Sequence, residues 1–203
     1  MSEPTVFIVD DDQAVSRSLR WLIETVRLKV ETYSSAQEFL DGYDSSKPGC
    51  LILDVRMPGT SGLDLQVRMA TQRIEVPIIF ITGHGDVQMA VRAVQSGAFD
   101  FVEKPFNDQD LLGRIQKAIV FDAAQRHKNA QRAQLRALFA SLTPREREVL
   151  DLVVEGMSNK AIANSLGVSA KTVEVHRAKV MEKMHAHSVA DLVKMAMQNR
   201  AEQ

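Results

Sequence analysis

Five polar side chains stand directly after short apolar or β-branched runs. Asp10 and Asp11 follow Val6–Val9, Asp54 follows Cys50–Leu53, Thr82 follows Pro77–Ile81, and Lys104 lies just beyond Phe99–Val102. If those runs are parallel strands, all five residues fall on the carboxyl edge of one sheet, where open α/β folds bind their ligands. Three carboxylates on one edge repel one another unless a divalent cation neutralises them, and oxygen donors with room for water suit Mg2+. A carboxylate held beside that ion can attack an electrophilic phosphorus atom. Lys104 and the Thr82 hydroxyl would then bind the oxygens of the phosphoryl group. Aspartates after strands also serve as turn formers and N-caps, so one alone says little; the set of five points to phosphoryl chemistry.

The elements that must position these residues are legible as alternation. With Lys29–Thr32, the four runs make five expected strands, and Ala14–Val26, Gly62–Ala70 and Val87–Gln95 carry apolar residues at helical spacing between them. Ser34 with Gln37 three residues on predicts a capping box at the start of the second helix. Five strand–helix repeats in the first 122 residues call for an α/β doubly wound, five-stranded parallel sheet covered on both faces. Leu51-Ile52-Leu53 and Ile78-Ile79-Phe80-Ile81 are continuous apolar runs, as strands buried on both faces should be. Helical periodicity runs from Leu111 through Phe121. Residues 123–137 then lack Gly and Pro and hold few large apolar side chains, which predicts a helical linker continuing the fifth helix.

Residues 138–203 read as a small all-α, four-helix domain. Thr143-Pro144-Arg145-Glu146 combines an N-cap threonine, a first-turn proline and a capping-box glutamate. Gly156 ends that helix, Ser158 and Ser169 cap the next two, and Ser188 with Asp191 opens a fourth. Ile162, Ala163, Leu166, Gly167 and Val173 fit a helix-turn-helix, the alanine allowing two helices to approach and Gly167 the turn between them. The second of those helices carries Lys171, Thr172, Glu174, His176, Arg177 and Lys179 toward its N-terminal end, the part that enters a DNA major groove. An exposed amphipathic helix would show the same charges without the preceding turn.

The formal net charge of −1 hides a split. Residues 1–120 hold 17 Asp+Glu against 12 Lys+Arg, and residues 121–203 hold 9 against 13, an acidic half followed by a basic one suited to a polyanion. The single cysteine, Cys50, cannot form an intrachain disulfide. No run is long enough to span a bilayer and Met1-Ser2-Glu3-Pro4 has no signal-peptide character, so a cytoplasmic protein without membrane association is expected.

The first half resembles the receiver domain of two-component response regulators, a flavodoxin-like fold, on Val9-Asp10-Asp11-Asp12, Leu53 through Gly62, Ile81-Thr82-Gly83 and Lys104-Pro105-Phe106. The resemblance implies that Asp54 accepts phosphate from a sensor histidine kinase. It also implies that Asp11, Asp54 and the backbone carbonyl of Arg56 bind Mg2+, with Asp10 assisting through water. Lys104-Pro105 is implied to be a cis bond, Gly83 to leave the phosphoryl pocket open, and Phe101 to turn inward on activation. The face carrying Val91, Gln95 and Phe101 would then pair receivers.

Residues 138–200 resemble the LuxR-type helix-turn-helix on Leu142 through Leu150, Asn159 through Ala163 and Thr172 through Arg177. By that resemblance Lys160, Lys171, Thr172, His176 and Lys179 contact phosphates of a double-stranded promoter site, with Glu174, Val175 and Ala178 facing base edges. A receiver joined to this module defines the NarL/FixJ class. His84 through Val91, Phe101 through Phe106 and Thr172 through Val180 resemble its FixJ branch, which includes activators of nitrogen-fixation genes under low oxygen. The expected protein is a transcriptional regulator and not an enzyme, a homodimer when phosphorylated, working with RNA polymerase. A Mg2+-dependent phosphohydrolase would share the aspartyl phosphate, but it leaves residues 138–200 without a role and has Arg56 where a second acid is wanted. A receiver that only drains phosphate, with a protein-binding helical module, is the remaining alternative.

Overall fold

The computed structural model describes residues 3–83 and 87–200; His84, Gly85 and Asp86 of the FixJ-like stretch lie outside the described residues. In chain order, β1 (Thr5–Val9), α1 (Gln13–Glu24), β2 (Lys29–Tyr33), α2 (Ala36–Gly42), β3 (Gly49–Asp54), α3 (Gly62–Thr71), β4 (Ile78–Thr82), α4 (Val87–Gln95) and β5 (Asp100–Glu103) alternate strictly. The sheet is parallel with order β2-β1-β3-β4-β5, the doubly wound topology expected from the alternation. Side chains of β1, β3 and β4 are buried on both faces. One layer gathers Phe7, Leu51, Leu53 and Phe80 with Phe39, Leu65 and Met69. The other gathers Ile8, Ile52, Ile79 and Ile81 with Leu19, Ile23, Leu111 and Ile115.

The N-cap of α2 and the start of β5 each lie one residue later than expected. The N-cap of α2 is Ser35, not Ser34, because Glu38 rather than Gln37 carries the answering carboxylate: Ser35 Oγ accepts from the Glu38 N–H, and Glu38 Oε2 accepts from both the N–H and hydroxyl of Ser34. Gln37 instead hydrogen-bonds Asp41. β5 starts at Asp100, so Phe99 precedes it, its N–H donating to the Ile78 carbonyl.

The fifth helix, α5 (Asp108–Ala140), is continuous through the expected linker. The chain divides into compact units of residues 1–126 and 127–203. The first reaches Arg126 because that side chain pairs with Asp122 at 2.7 Å and donates to the carbonyls of Ser45 and Lys47. Asp122, buried, also accepts from the Gly49 N–H, tying α5 to the start of β3.

The second unit holds the end of α5 with α6 (Pro144–Val154), α7 (Asn159–Leu166), α8 (Ala170–Lys183) and α9 (Val189–Arg200). The capping box of Thr143 and Glu146 forms as the sequence predicts, Ser158 and Ser169 cap α7 and α8, and Gly167 closes α7 in the left-handed conformation at φ 65°. Leu135, Leu138 and Phe139 of α5 pack with Val149, Ile162, Val173, Val180 and Leu192, so this core begins before residue 138.

Candidate functional site

At the carboxyl edge of the sheet, Asp10 directly follows β1, β3 ends in Asp54 and β4 in Thr82, and all three are at least nine-tenths buried. Lys104 follows β5, its N–H donating to the Thr82 carbonyl at 2.7 Å, and this main-chain bond aims its side chain back across the edge. The Lys104 ammonium lies 3.0 Å from Asp54 Oδ1 and 3.3 Å from Asp10 Oδ2. The remaining oxygens have partners too: Asp54 Oδ2 accepts from the Arg56 N–H at 2.8 Å, and Asp10 Oδ1 from the Asp12 N–H at 2.9 Å. Both carboxylates are thereby fixed in rotation.

Burial raises the Asp10 carboxyl above its ordinary range, against the hydrogen bond from Asp12 and the charge of Lys104. Burial also works against the charge on Lys104, but the hydrogen bond to Asp54 and the nearby carboxylates hold its ammonium above the usual lysine value.

Asp10, Asp54, Thr82 and Lys104 of the expected quintet meet here, whereas Asp11, next along the chain, is exposed. Among the described residues no group of three His, Cys, Asp or Glu is close enough to hold an ion. The donor chemistry nonetheless fits Mg2+: two buried carboxylates, all oxygen, already share a cation, and the raised Asp10 carboxyl reflects incomplete compensation of its charge. The Lys104-Pro105 bond is cis, and a side chain at Gly83 would meet nothing within 4 Å.

α4 packs against β5. Val91 and Gln95 are exposed on α4, and Phe101 is half-buried on β5 opposite Phe80, packed against the core. In the second unit, Lys171, Glu174, Val175 and Ala178 recur at i, i+3, i+4 and i+7 on the exposed side of α8, while Val173 and Val180 are buried behind them. Lys160 on α7 and Lys179 on α8 are exposed. Thr172 and His176 are half-buried, the Thr172 hydroxyl lying 2.8 Å from that of Ser169.

Several supporting residues escape a reading of the sequence. A Cβ on Gly62 would fall 2.3 Å from the Asp54 carbonyl oxygen, so only glycine lets α3 begin beneath Asp54. Arg177 donates to Asn159 Oδ1 at 2.7 Å and locks α8 to α7. Glu146 accepts from Lys183 at 2.7 Å, joining the first turn of α6 to the last turn of α8.

The chain matches the response regulator receiver domain over residues 6–116 and the luxR family of bacterial regulatory proteins over residues 140–196. It is 47% identical to Nodulation protein W of Bradyrhizobium diazoefficiens over 191 residues, 94% of this chain and 84% of that protein. It is 43% identical to Transcriptional regulatory protein FixJ of the same organism over 192 residues, 95% of this chain and 94% of that one. The solved structure of response regulator StyR matches with a TM-score of 0.91 at 43% identity, covering 97% of this chain and all of that one. The chain therefore belongs to the two-component response regulators of the NarL/FixJ class, which join a receiver to a LuxR-type DNA-binding domain. Among the described residues no helix is long and apolar enough to cross a membrane.

Proposed function

We propose that Asp54 accepts a phosphoryl group from the phosphohistidine of a sensor histidine kinase, and that the added charge switches the chain into a dimer that binds promoter DNA. The observation that carries this reading is the Lys104 ammonium shared by buried Asp54 and Asp10 at the carboxyl edge of the sheet. An Asp54 carboxylate oxygen forms the new O–P bond while the N–P bond to the imidazole breaks and the imidazole leaves with its electron pair. Lys104 and the Thr82 hydroxyl take the phosphoryl oxygens. Asp10, Asp11, Asp54 and the Arg56 carbonyl would hold Mg2+, whose charge offsets that of the phosphoryl group.

Phosphorylation adds roughly two negative charges. Drawing Thr82 toward them leaves room for the Phe101 ring to turn inward, and the face of Val91, Gln95 and Phe101 becomes the pairing surface. A shift from 1:99 to 99:1 in favour of that state requires about 5.5 kcal/mol of differential stabilisation. The dimer sets two α8 helices about 34–36 Å apart on a near-palindromic site. Lys160, Lys171, Thr172, His176 and Lys179 hold phosphates, and Glu174, Val175 and Ala178 face base edges. The regulator works in the cytoplasm, as a receiver (1–122), a linker (123–137) and an effector (138–203), and recruits RNA polymerase. Footprinting with acetyl phosphate tests this reading: wild type gains a discrete protected site and Asp54→Asn does not. A footprint gained equally by both would refute it.

A further inference from the structure

At the start of β3, the end of that strand opposite Asp54, one arginine places three nitrogens on three acceptors. Arg126 donates through Nε to Asp122 Oδ2 at 2.7 Å, through Nη1 to the Ser45 carbonyl at 2.8 Å and through Nη2 to the Lys47 carbonyl at 2.8 Å. Both sides of this contact are anchored. Asp122 is buried and also holds the Gly49 N–H at 2.9 Å. The loop carrying Ser45 and Lys47 starts at Tyr43, whose ring packs on Phe7 and Phe39 at 5.2 and 5.0 Å, and it ends in β3. The last buried apolar side chain of α5 before the linker is Ala118, so polar bonds and not apolar packing hold the turn from Asp122 to Arg126.

Beyond that turn burial stops. Among the described residues, no α5 side chain between Asp122 and Phe139 is buried; Asn129 and Arg132 each have a partner, yet both keep contact with solvent. A helix as short as residues 123–138 is marginal in water on its own, because its first turn costs more than it returns. Lys128, Arg132 and Arg136 add like charges at i, i+4, which weakens it further. The helix nonetheless runs unbroken to Ala140. A turn already fixed ahead of it removes the cost of nucleation, and Asp122 with Arg126, acid first, is the favourable i, i+4 order.

We propose that Arg126 is a clamp that propagates helical structure from the receiver into the linker, making residues 127–134 a stiff lever and not a loose tether. Three acceptors at fixed angles need the planar guanidinium; a single lysine ammonium cannot serve them. The consequence rests on the phosphorylation reading: a stiff linker lets the pairing of two receivers set the spacing of two α8 helices. A flexible one would leave each effector to find its half-site separately.

The test compares full-length wild type, Arg126→Gln and Arg126→Lys by amide hydrogen exchange without phosphorylation. Exchange across residues 127–134 should quicken at least tenfold in both variants, while the amides of β1 and β3 keep their wild-type protection. Unchanged linker protection in Arg126→Gln overturns the clamp. So does rescue by Arg126→Lys, or an equal loss of protection in β1 and β3, which would make Arg126 a stabiliser of the receiver alone. A second readout addresses the lever. With acetyl phosphate, Arg126→Gln should be labelled at Asp54 at the wild-type rate yet gain at least fivefold less affinity than wild type for the footprinted DNA. A full gain overturns the lever role. A wild type without any phosphate-driven gain would refute the phosphorylation reading instead, and exchange alone would then decide the clamp.

Discussion

Gly62 lies so close beneath Asp54 that a Cβ on it would sit 2.3 Å from the Asp54 backbone carbonyl oxygen. The Gly62 N–H donates to the Val55 carbonyl at 2.9 Å, and the capping box of Ser61 and Asp64 starts α3 at that point. The Asp54 carboxylate is thus set from below by helix packing as well as from above by Lys104. Gly62→Ala must displace the end of β3, a backbone shift that typically costs about 1–3 kcal/mol. A lower urea midpoint and slower labelling by acetyl phosphate are expected together. A stable variant labelled at the wild-type rate would mean the clash is relieved elsewhere.

Lys104→Gln removes the cation shared by Asp10 and Asp54. The lysine side chain is about one-quarter exposed, so the loss should fall below that of a fully buried pair, at about 1–3 kcal/mol. With the charge of Lys104 gone, the Asp10 carboxyl should rise further above its ordinary range, visible in an NMR titration of the Asp side-chain carbonyls. An unchanged Asp10 titration would show that Lys104 contributes little to that carboxylate.

Glu146 gives a pH signature confined to the second unit. The hydrogen bond from Lys183, with that from the Thr143 N–H, lowers its carboxyl from 4.5 to about 2. A depressed folded-state value means the stabilisation is fully present above the unfolded value near 4.5 and is lost as the pH falls through about 2. Between those limits wild type should lose stability with acid more steeply than Glu146→Gln, measured by urea unfolding of the second unit's signals. Parallel curves would remove the ion pair from the account.

The cations on α7 and α8 separate by their salt response. Removing a lysine that neutralises one DNA phosphate lowers the slope of log K against log salt by about 0.9. Lys171→Gln and Lys179→Gln should each flatten the slope by that amount and weaken all sites alike. Glu174→Gln should instead change the preferred base at one position, because that side chain faces outward on the same side as Lys171 and Ala178. A Glu174 variant with unaltered preference would place that residue outside the groove.

The parts legible in the sequence are those fixed by local pattern. β1, β3 and β4 are apolar runs bounded by turn residues, and Thr143 with Glu146 or Ser169 with Thr172 carry their own cap chemistry. Alternation also places Asp10, Asp54, Thr82 and Lys104 on one edge, since a parallel sheet leaves no other arrangement. The one-residue shift at Ser35 arises because Gln37 and Glu38 both suit a capping box, and the choice depends on which side chain points back at Ser34. Gly62 beneath Asp54, Asp122 on Gly49, Arg177 on Asn159 and Lys183 on Glu146 bring together residues 8 to 73 positions apart. Nothing in local spacing announces them, because packing alone sets those distances.

Sedimentation velocity of wild type and Asp54→Asn in the presence of Mg2+, before and after acetyl phosphate, tests the central claim most directly. The account predicts a monomer-to-dimer shift in wild type alone. A shift in both proteins, or in neither, would contradict phosphorylation of Asp54 as the event that pairs the receivers.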